Sequence, residues 1–202
     1  MGNGEKQLPT LEAFLAERIA PRFAEQVRET ERRLAEVERQ LADLRAAEGT
    51  IAWEVAGPEP IVRYVNIGSG EMRVAPEPAH PPVMTISMTP EDWARFASGL
   101  PIPLGADPRR PLGKTRLDRI KGITGSVRFV LTDLEGGDWS CLIVFGNASK
   151  EAEPRVTITL PASAVAEMQQ GKLDPQVAFM QGRIKLAGDM GFAMQLGMTL
   201  FM

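Results

Sequence analysis

The chain has 202 residues, a formal net charge of −3, and 44% hydrophobic against 24% charged residues, which is the balance of a globular protein. Its slightly acidic charge gives no bulk attraction to nucleic acid, and its longest apolar runs fall short of the 18 or so residues that a membrane span needs. With one His, one Cys and one Tyr it is thinly supplied for catalysis, and no cluster of residues has metal-ligand spacing.

The opening "MGNGEKQLPT" has no apolar core followed by a cleavage site, so it is not a secretory signal. Lys6 stands where a myristoylation signal wants Ser or Thr. A lone Cys141 makes no internal disulfide. Together these predict a cytoplasmic protein.

From Leu11 to Glu48 the pattern is helical, and Pro21 is expected to split it into two pieces. The second piece carries Phe23, Val27, Thr30, Leu34, Val37, Leu41 and Leu44, whose alternating steps of four and three trace a coiled-coil seam. Such a stripe lies on the protein's own body, pairs with a second copy, or meets another partner. Val27, Leu34, Val37, Leu41 and Leu44 are the candidate homo-oligomer contacts. Gly49-Thr50 closes the helix.

From Ile51 the period changes to two. "IAWEV", "PIVRYVNI" and the segment after the turn "GSG" read as strands. "PEPAHPP" is a loop, and its His80 reads as a solvated imidazole. "VMTISM" is a strand that runs into a helix capped by Thr89, begun by Pro90 and buried through Trp93, Phe96 and Ala97.

Prolines and glycines make the following "LPIPLGADPRRPLG" a long irregular connection. Arg109, Arg110, Lys114 and Arg116 at its end form a basic cluster, either a solvated linker or a transient contact for anionic head groups at a membrane surface. "LGKT" lacks the earlier glycine of a phosphate loop, since that position is Pro108.

"SVRFVLTDL" and "WSCLIVFG" are strands joined by the turn "EGGD", and Cys141 in the second reads as packing. "RVTITL" is a strand leading into the helix "PASAVAEMQQG". Met84–Gly99 and Val156–Gly171 align without a gap as strand, Pro-started helix and terminal glycine, a weak sign of internal duplication.

Asp174, Pro175 and Gly182 bound a short helix, "RIKLAG" is a half-covered strand, and Asp189 caps the last helix. That helix is apolar on most sides, so it is buried or lines a cavity. Five of the ten methionines lie within Met180–Met202. Methionine adapts to irregular apolar partners. Gly191 and Gly197 loosen the helix by roughly 1 kcal/mol each relative to Ala.

The stretch "GKLDPQVAFMQGRIKLAGDMGFAMQL" closely resembles the sterol carrier protein type-two, or sterol-transfer, family. It follows that family's order of a Gly-Lys-hydrophobic turn, a Pro-Gln-x-Ala-Phe helix, a Gly-Lys-hydrophobic-Lys strand, here Gly182-Arg183-Ile184-Lys185, and a Gly-Asn/Asp-Met-x-x-Ala-Met helix. The resemblance implies an α+β fold: a twisted, mainly antiparallel five-stranded sheet covered by helices, with an apolar tunnel between them. Here a long helical arm precedes it. The expected layout is an arm over 1–49, a partial carrier-like half with linker over 50–117, forming a degenerate tandem repeat, and a carrier-like domain over 118–202.

By resemblance the wall of the tunnel is Val177, Phe179, Met180, Ile184, Leu186, Met190, Phe192, Met194 and Leu196. The implied function is non-catalytic binding and intracellular transfer or presentation of a fatty acyl, sterol, hopanoid or isoprenoid lipid, without cofactor or metal. The alternative is an accessory or scaffold protein acting through its coiled coil. Some bacterial members of the family serve isoprenoid-quinone biosynthesis in this way, with the coiled coil after the domain.

Overall fold

The computed structural model describes residues 10–100, 112–150 and 153–201. Helix α1 (Leu11–Phe14) passes through a π-helical turn (Leu15–Ile19) into α2 (Ala20–Arg45) without a break. Pro21 therefore does not split the helix as expected. A prolyl ring collides with the carbonyl four residues back, and a wider turn placed just before it relieves that collision. Compactness divides the chain into 1–42 and 43–202.

Residues 49–188 supply one continuous sheet of eight strands: β1 (Gly49–Val55), β2 (Ile61–Gly68), β3 (Glu71–Ala75), β4 (Pro82–Met88), β5 (Gly125–Thr132), β6 (Trp139–Phe145), β7 (Val156–Pro161) and β8 (Lys185–Gly188). Their order is β3-β2-β1-β4-β6-β5-β7-β8. Only β1–β4 and β5–β7 pair in parallel, so the sheet is mainly antiparallel. The helices among the described residues of the body are α3 (Pro90–Ala97), α4 (Lys114–Lys121), α5 (Ala162–Gln169), α6 (Pro175–Met180) and α7 (Met190–Phe201).

The two halves repeat one topology. β1 pairs antiparallel with β2 and parallel with β4; β5 does the same with β6 and β7. Leu41, Leu44, Ala47, Gly49, Thr50, Ile51 and Trp53 fall without a gap on Leu117, Ile120, Ile123, Gly125, Ser126, Val127 and Phe129. Even a buried hydroxyl recurs. Thr50 Oγ1 accepts the His80 N–H at 3.1 Å, and Ser126 Oγ accepts the Arg155 N–H at 3.3 Å. Each ties the start of the first strand to the chain entering its parallel partner. The halves join where β4 pairs with β6, as β7 pairs with β8.

One face of the sheet carries the core. Register-paired residues cross it from Trp53 through Ile86, Ile143 and Val127 to Val156. A second row runs Cys141, Phe129, Ile158, Leu186. Leu117 and Ile120 of α4, Val165 of α5, and Phe192 and Leu196 of α7 pack into the same cluster. The rows of the other face hold Thr85, Ser87, Ser140, Arg128, Thr157 and Thr159. Alternation along each strand produces both faces at once.

The connection expected to be irregular lies, over 101–111, outside the described residues. Directly after it, where no helix was expected, α4 forms with Leu117 and Ile120 buried. Asp43 takes the role of its missing side-chain cap, accepting from the Thr115 N–H at 3.0 Å and from its hydroxyl at 2.6 Å. In α3, Trp93 is 40% exposed and Asp92 is buried instead. Thr89 and Asp92 bond reciprocally at the cap, and the Asp92 carbonyl accepts from Trp139 Nε1 at 2.8 Å. That bond, with Arg95 donating to the Gly137 carbonyl at 2.7 Å, locks the helix of the first half onto the hairpin of the second.

Candidate functional site: the apolar C-terminal helices

The candidate wall residues lie on α6, β8 and α7. Asp174 begins α6 by accepting the Gln176 N–H at 2.8 Å, with Pro175 in the first turn. Ala178 then packs with Ala164 and Leu173, and Met168 and Ile184 close over this small cluster. Gly182, at a φ of 70°, turns the chain out of the helix. The Arg183 guanidinium forms a two-point bridge to Glu167 at 2.7 and 2.9 Å, which ties the exit of α6 to α5. It also holds the Glu167 carboxyl below its ordinary range.

β8 pairs with β7, placing Leu186 beside Ile158 on the core face and Lys185 beside Thr159 on the other. Gly188 then makes a close crossing, since a Cβ there would stand 2.5 Å from the Arg155 carbonyl oxygen. Asp189 caps α7 by accepting the Phe192 N–H at 2.9 Å and binds the Arg155 guanidinium at 2.8 Å. The Phe192 N–H, and after it Arg155, hold the Asp189 carboxyl below its ordinary range. The Arg155 guanidinium also lies 4.6 Å over the Phe192 ring. That ring rests on Gly125, where a Cβ would come within 2.7 Å of Phe192 Cζ.

The nine residues separate into three groups. Phe192 and Leu196 are each 1% exposed and belong to the main core. Ile184 and Leu186 are half-buried against it. Val177, Phe179, Met180, Met190 and Met194 are open to solvent, Met180 and Met194 by 78% and 64%. Met198 continues the stripe of Met190 and Met194 along α7 at helical spacing. α7 is thus apolar on both sides: one side is core, and the other is greasy and uncovered. A helix apolar on most sides is expected to be buried or to line a cavity; at Met190, Met194 and Met198 its outer face is exposed rather than buried.

The remaining chemistry is sparse. Burial, with the Asp92 charge adding to it, pushes the Cys141 thiol up to about 12, which removes it as a nucleophile at neutral pH. Among the described residues no group of three or more His, Cys, Asp or Glu could hold a metal ion. A cleft of ≈ 350 Å³ not expected from sequence lies where β1, β4 and α4 meet, lined by Glu48, Gly49, His80, Pro81, Pro82, Val83, Lys121 and Gly146. Its lining comes from four distant segments, so no local motif announces it.

Of the basic cluster, Arg109 and Arg110 lie outside the described residues. Lys114 is paired with Asp118, which Lys121 also contacts at 3.2 Å. No described helix is long and apolar enough to cross a membrane.

Residues 106–201 match the model of the SCP-2 sterol transfer family. Sterol carrier protein 2 of Rattus norvegicus is 36% identical over 84 residues, covering 38% of this chain and 15% of its own. Peroxisomal multifunctional enzyme A of Dictyostelium discoideum is 33% identical over 93 residues, 46% of this chain and 20% of its own. The chain thus spans about a fifth or less of these relatives. The sterol carrier protein domain 2 of Helicoverpa armigera aligns over 55% of this chain and 89% of its own, at 24% identity and a TM-score of 0.36.

Proposed function

Because residues 106–201 belong to the SCP-2 sterol transfer family, we propose that the protein binds and transfers a hydrophobic lipid through its C-terminal helices, without catalysis. The observation that carries this reading is the two-sided apolar character of α7 beside the half-buried Ile184 and Leu186. A soluble protein gains nothing from exposing Val177, Phe179, Met180, Met190 and Met194 unless something apolar covers them part of the time. Methionine suits a cargo of irregular shape.

In this reading an acyl, sterol, hopanoid or isoprenoid chain lies along the outer faces of α6 and α7. It enters toward Phe192 and Leu196 as α7 shifts outward, a movement that Gly191 and Gly197 ease. Burial of ten methylenes supplies about 8 kcal/mol before the costs of binding. No acid, base or nucleophile is required.

Lipid extraction of the purified protein followed by mass spectrometry, with uptake of a fluorescent long-chain fatty acid from vesicles, tests the proposal. A stoichiometric lipid or saturable uptake is expected. Met194→Glu should abolish uptake while changing stability by less than about 0.5 kcal/mol, because the side chain is 64% exposed. No bound lipid and no uptake, or uptake unchanged in Met194→Glu, would overturn it.

A second reading is favoured by the uncovered stripe on the arm, where Phe23, Leu34 and Val37 are 68%, 58% and 58% exposed. It makes the arm an association surface, so that the protein acts as an accessory or scaffold in the cytoplasm. Disrupting Leu34 and Leu41 should then abolish association and leave lipid binding intact.

A further inference from the structure

The seam on α2 is narrow and its flanks, Ala24 apart, are charged or amide-bearing. Val27, Leu34 and Leu41 occupy the first core position of successive heptads (a), and Phe23, Thr30, Val37 and Leu44 the second (d). The flanking positions are Ala24, Glu31, Glu38 and Arg45 on one side (e) and Gln26, Arg33 and Gln40 on the other (g). An apolar stripe confined to a and d fits one facing helix rather than several. From Phe23 to Leu44 it is about 33 Å long.

The charges on the outer face are satisfied within the helix. Glu25 binds Arg28 at 2.7 Å and Arg32 at 3.0 Å, and Glu36 binds Arg39 at 2.6 Å, while Arg33, beside the seam, is held at 3.2 Å by Glu29 one turn back on the same helix and would share that contact with a facing carboxylate. Glu31 and Glu38, both beside the seam, have no ion pair among the described residues.

We propose that the occupant of the seam is a second copy of this chain, aligned parallel and in register. In that arrangement each g position faces the e position of the next heptad on the other helix. Arg33 then meets Glu38 of the second copy, twice per dimer by symmetry, and the remaining g residues are neutral glutamines. An antiparallel pair would instead set e against e and bring Glu31 and Glu38 together, like charge on like charge. Thr30 forms one polar layer within the seam, which fixes the register at some expense of stability.

This inference rests on the second reading above, that the seam is an association surface, and its test separates the two. Sedimentation equilibrium of the full chain is expected to give a dimer. Glu38→Arg should weaken the dimer about tenfold by facing Arg33 with a like charge, and Arg33→Glu combined with Glu38→Arg should restore it. Both positions are on the surface, so folding is unaffected.

Thr30→Cys should cross-link to itself under oxidation, whereas wild type, with Cys141 buried, should not. A monomer at the highest soluble concentration would end both the inference and the association reading. A dimer tightened by Glu38→Arg, or one that Thr30→Cys fails to cross-link, would overturn only the parallel in-register arrangement. A trimer or larger assembly would overturn the two-stranded one.

Discussion

Gly125 and Gly49 occupy the same place in the two halves, at the start of β5 and β1, yet they should respond oppositely to an added methyl group. At Gly125 the backbone has a φ of +148°, and a Cβ would meet Phe192 Cζ at 2.7 Å, Phe192 Cε2 at 3.0 Å and Arg155 Cδ at 3.3 Å. The ring cannot simply step aside, because it is 1% exposed and lies under the Arg155 guanidinium. Overpacking costs about 1–3 kcal/mol and an unfavourable φ about as much, so Gly125→Ala should lose about 2–5 kcal/mol. That is a large share of the 5–15 kcal/mol typical of a folded domain.

At Gly49 a Cβ would find side-chain atoms only at 3.6 Å and beyond, in ordinary contact. Gly49→Ala should therefore stay within about 1 kcal/mol of wild type, on the stabilising side, because it restricts the unfolded chain. Urea unfolding followed by tryptophan fluorescence measures both. For a slope near 2 kcal/mol/M the Gly125→Ala midpoint should fall by roughly 1–2.5 M. Adding Phe192→Leu should recover part of the loss, giving a coupling of about 1 kcal/mol or more in a double-mutant cycle. Equal midpoints for the two alanine variants would refute the seating of α7 on β5 through Phe192 and Gly125.

Other outcomes follow from the same geometry. Leu117→Ala, on the buried side of α4, should cost about 3–5 kcal/mol, whereas Leu41→Ala, its counterpart in the first half, should barely change the unfolding of the body and should weaken self-association. Asp189 has its pKa lowered in the folded state, so its contribution is present above the unfolded value near 4 and is lost as pH falls through the folded one. Asp189→Asn should therefore flatten the acid side of the stability curve, read as urea midpoints between about pH 2 and pH 6. Cys141, with its thiol pushed up to about 12, should resist iodoacetamide at pH 8 and react only at the rate of unfolding, which mass spectrometry of the quenched protein would follow.

Much of the fold was legible because local chemistry forces it. Thr89-Pro90, Asp174-Pro175 and Asp189 each begin a helix where a side-chain acceptor meets an orphan N–H. Strand alternation fixed which of Lys185 and Leu186 turns to the core. The C-terminal resemblance rested on the same local elements in order, and the match over 106–201 bears it out. α4 escaped notice because only Leu117 and Ile120 are apolar in its eight residues, and its N-terminus borrows a cap from Asp43, far away in sequence.

The sequence alone determined where most helices start and which strand faces turn inward, since each depends on residues within a turn or two of one another. Only the tertiary structure decided that both halves share one sheet, that Phe192 and Leu196 sink into the core, and that Met190, Met194 and Met198 stay outside it. A helix apolar on most sides carries little internal instruction about which side to bury. In the folded chain the Phe192 ring takes the space that the missing side chain of Gly125 leaves at the start of β5.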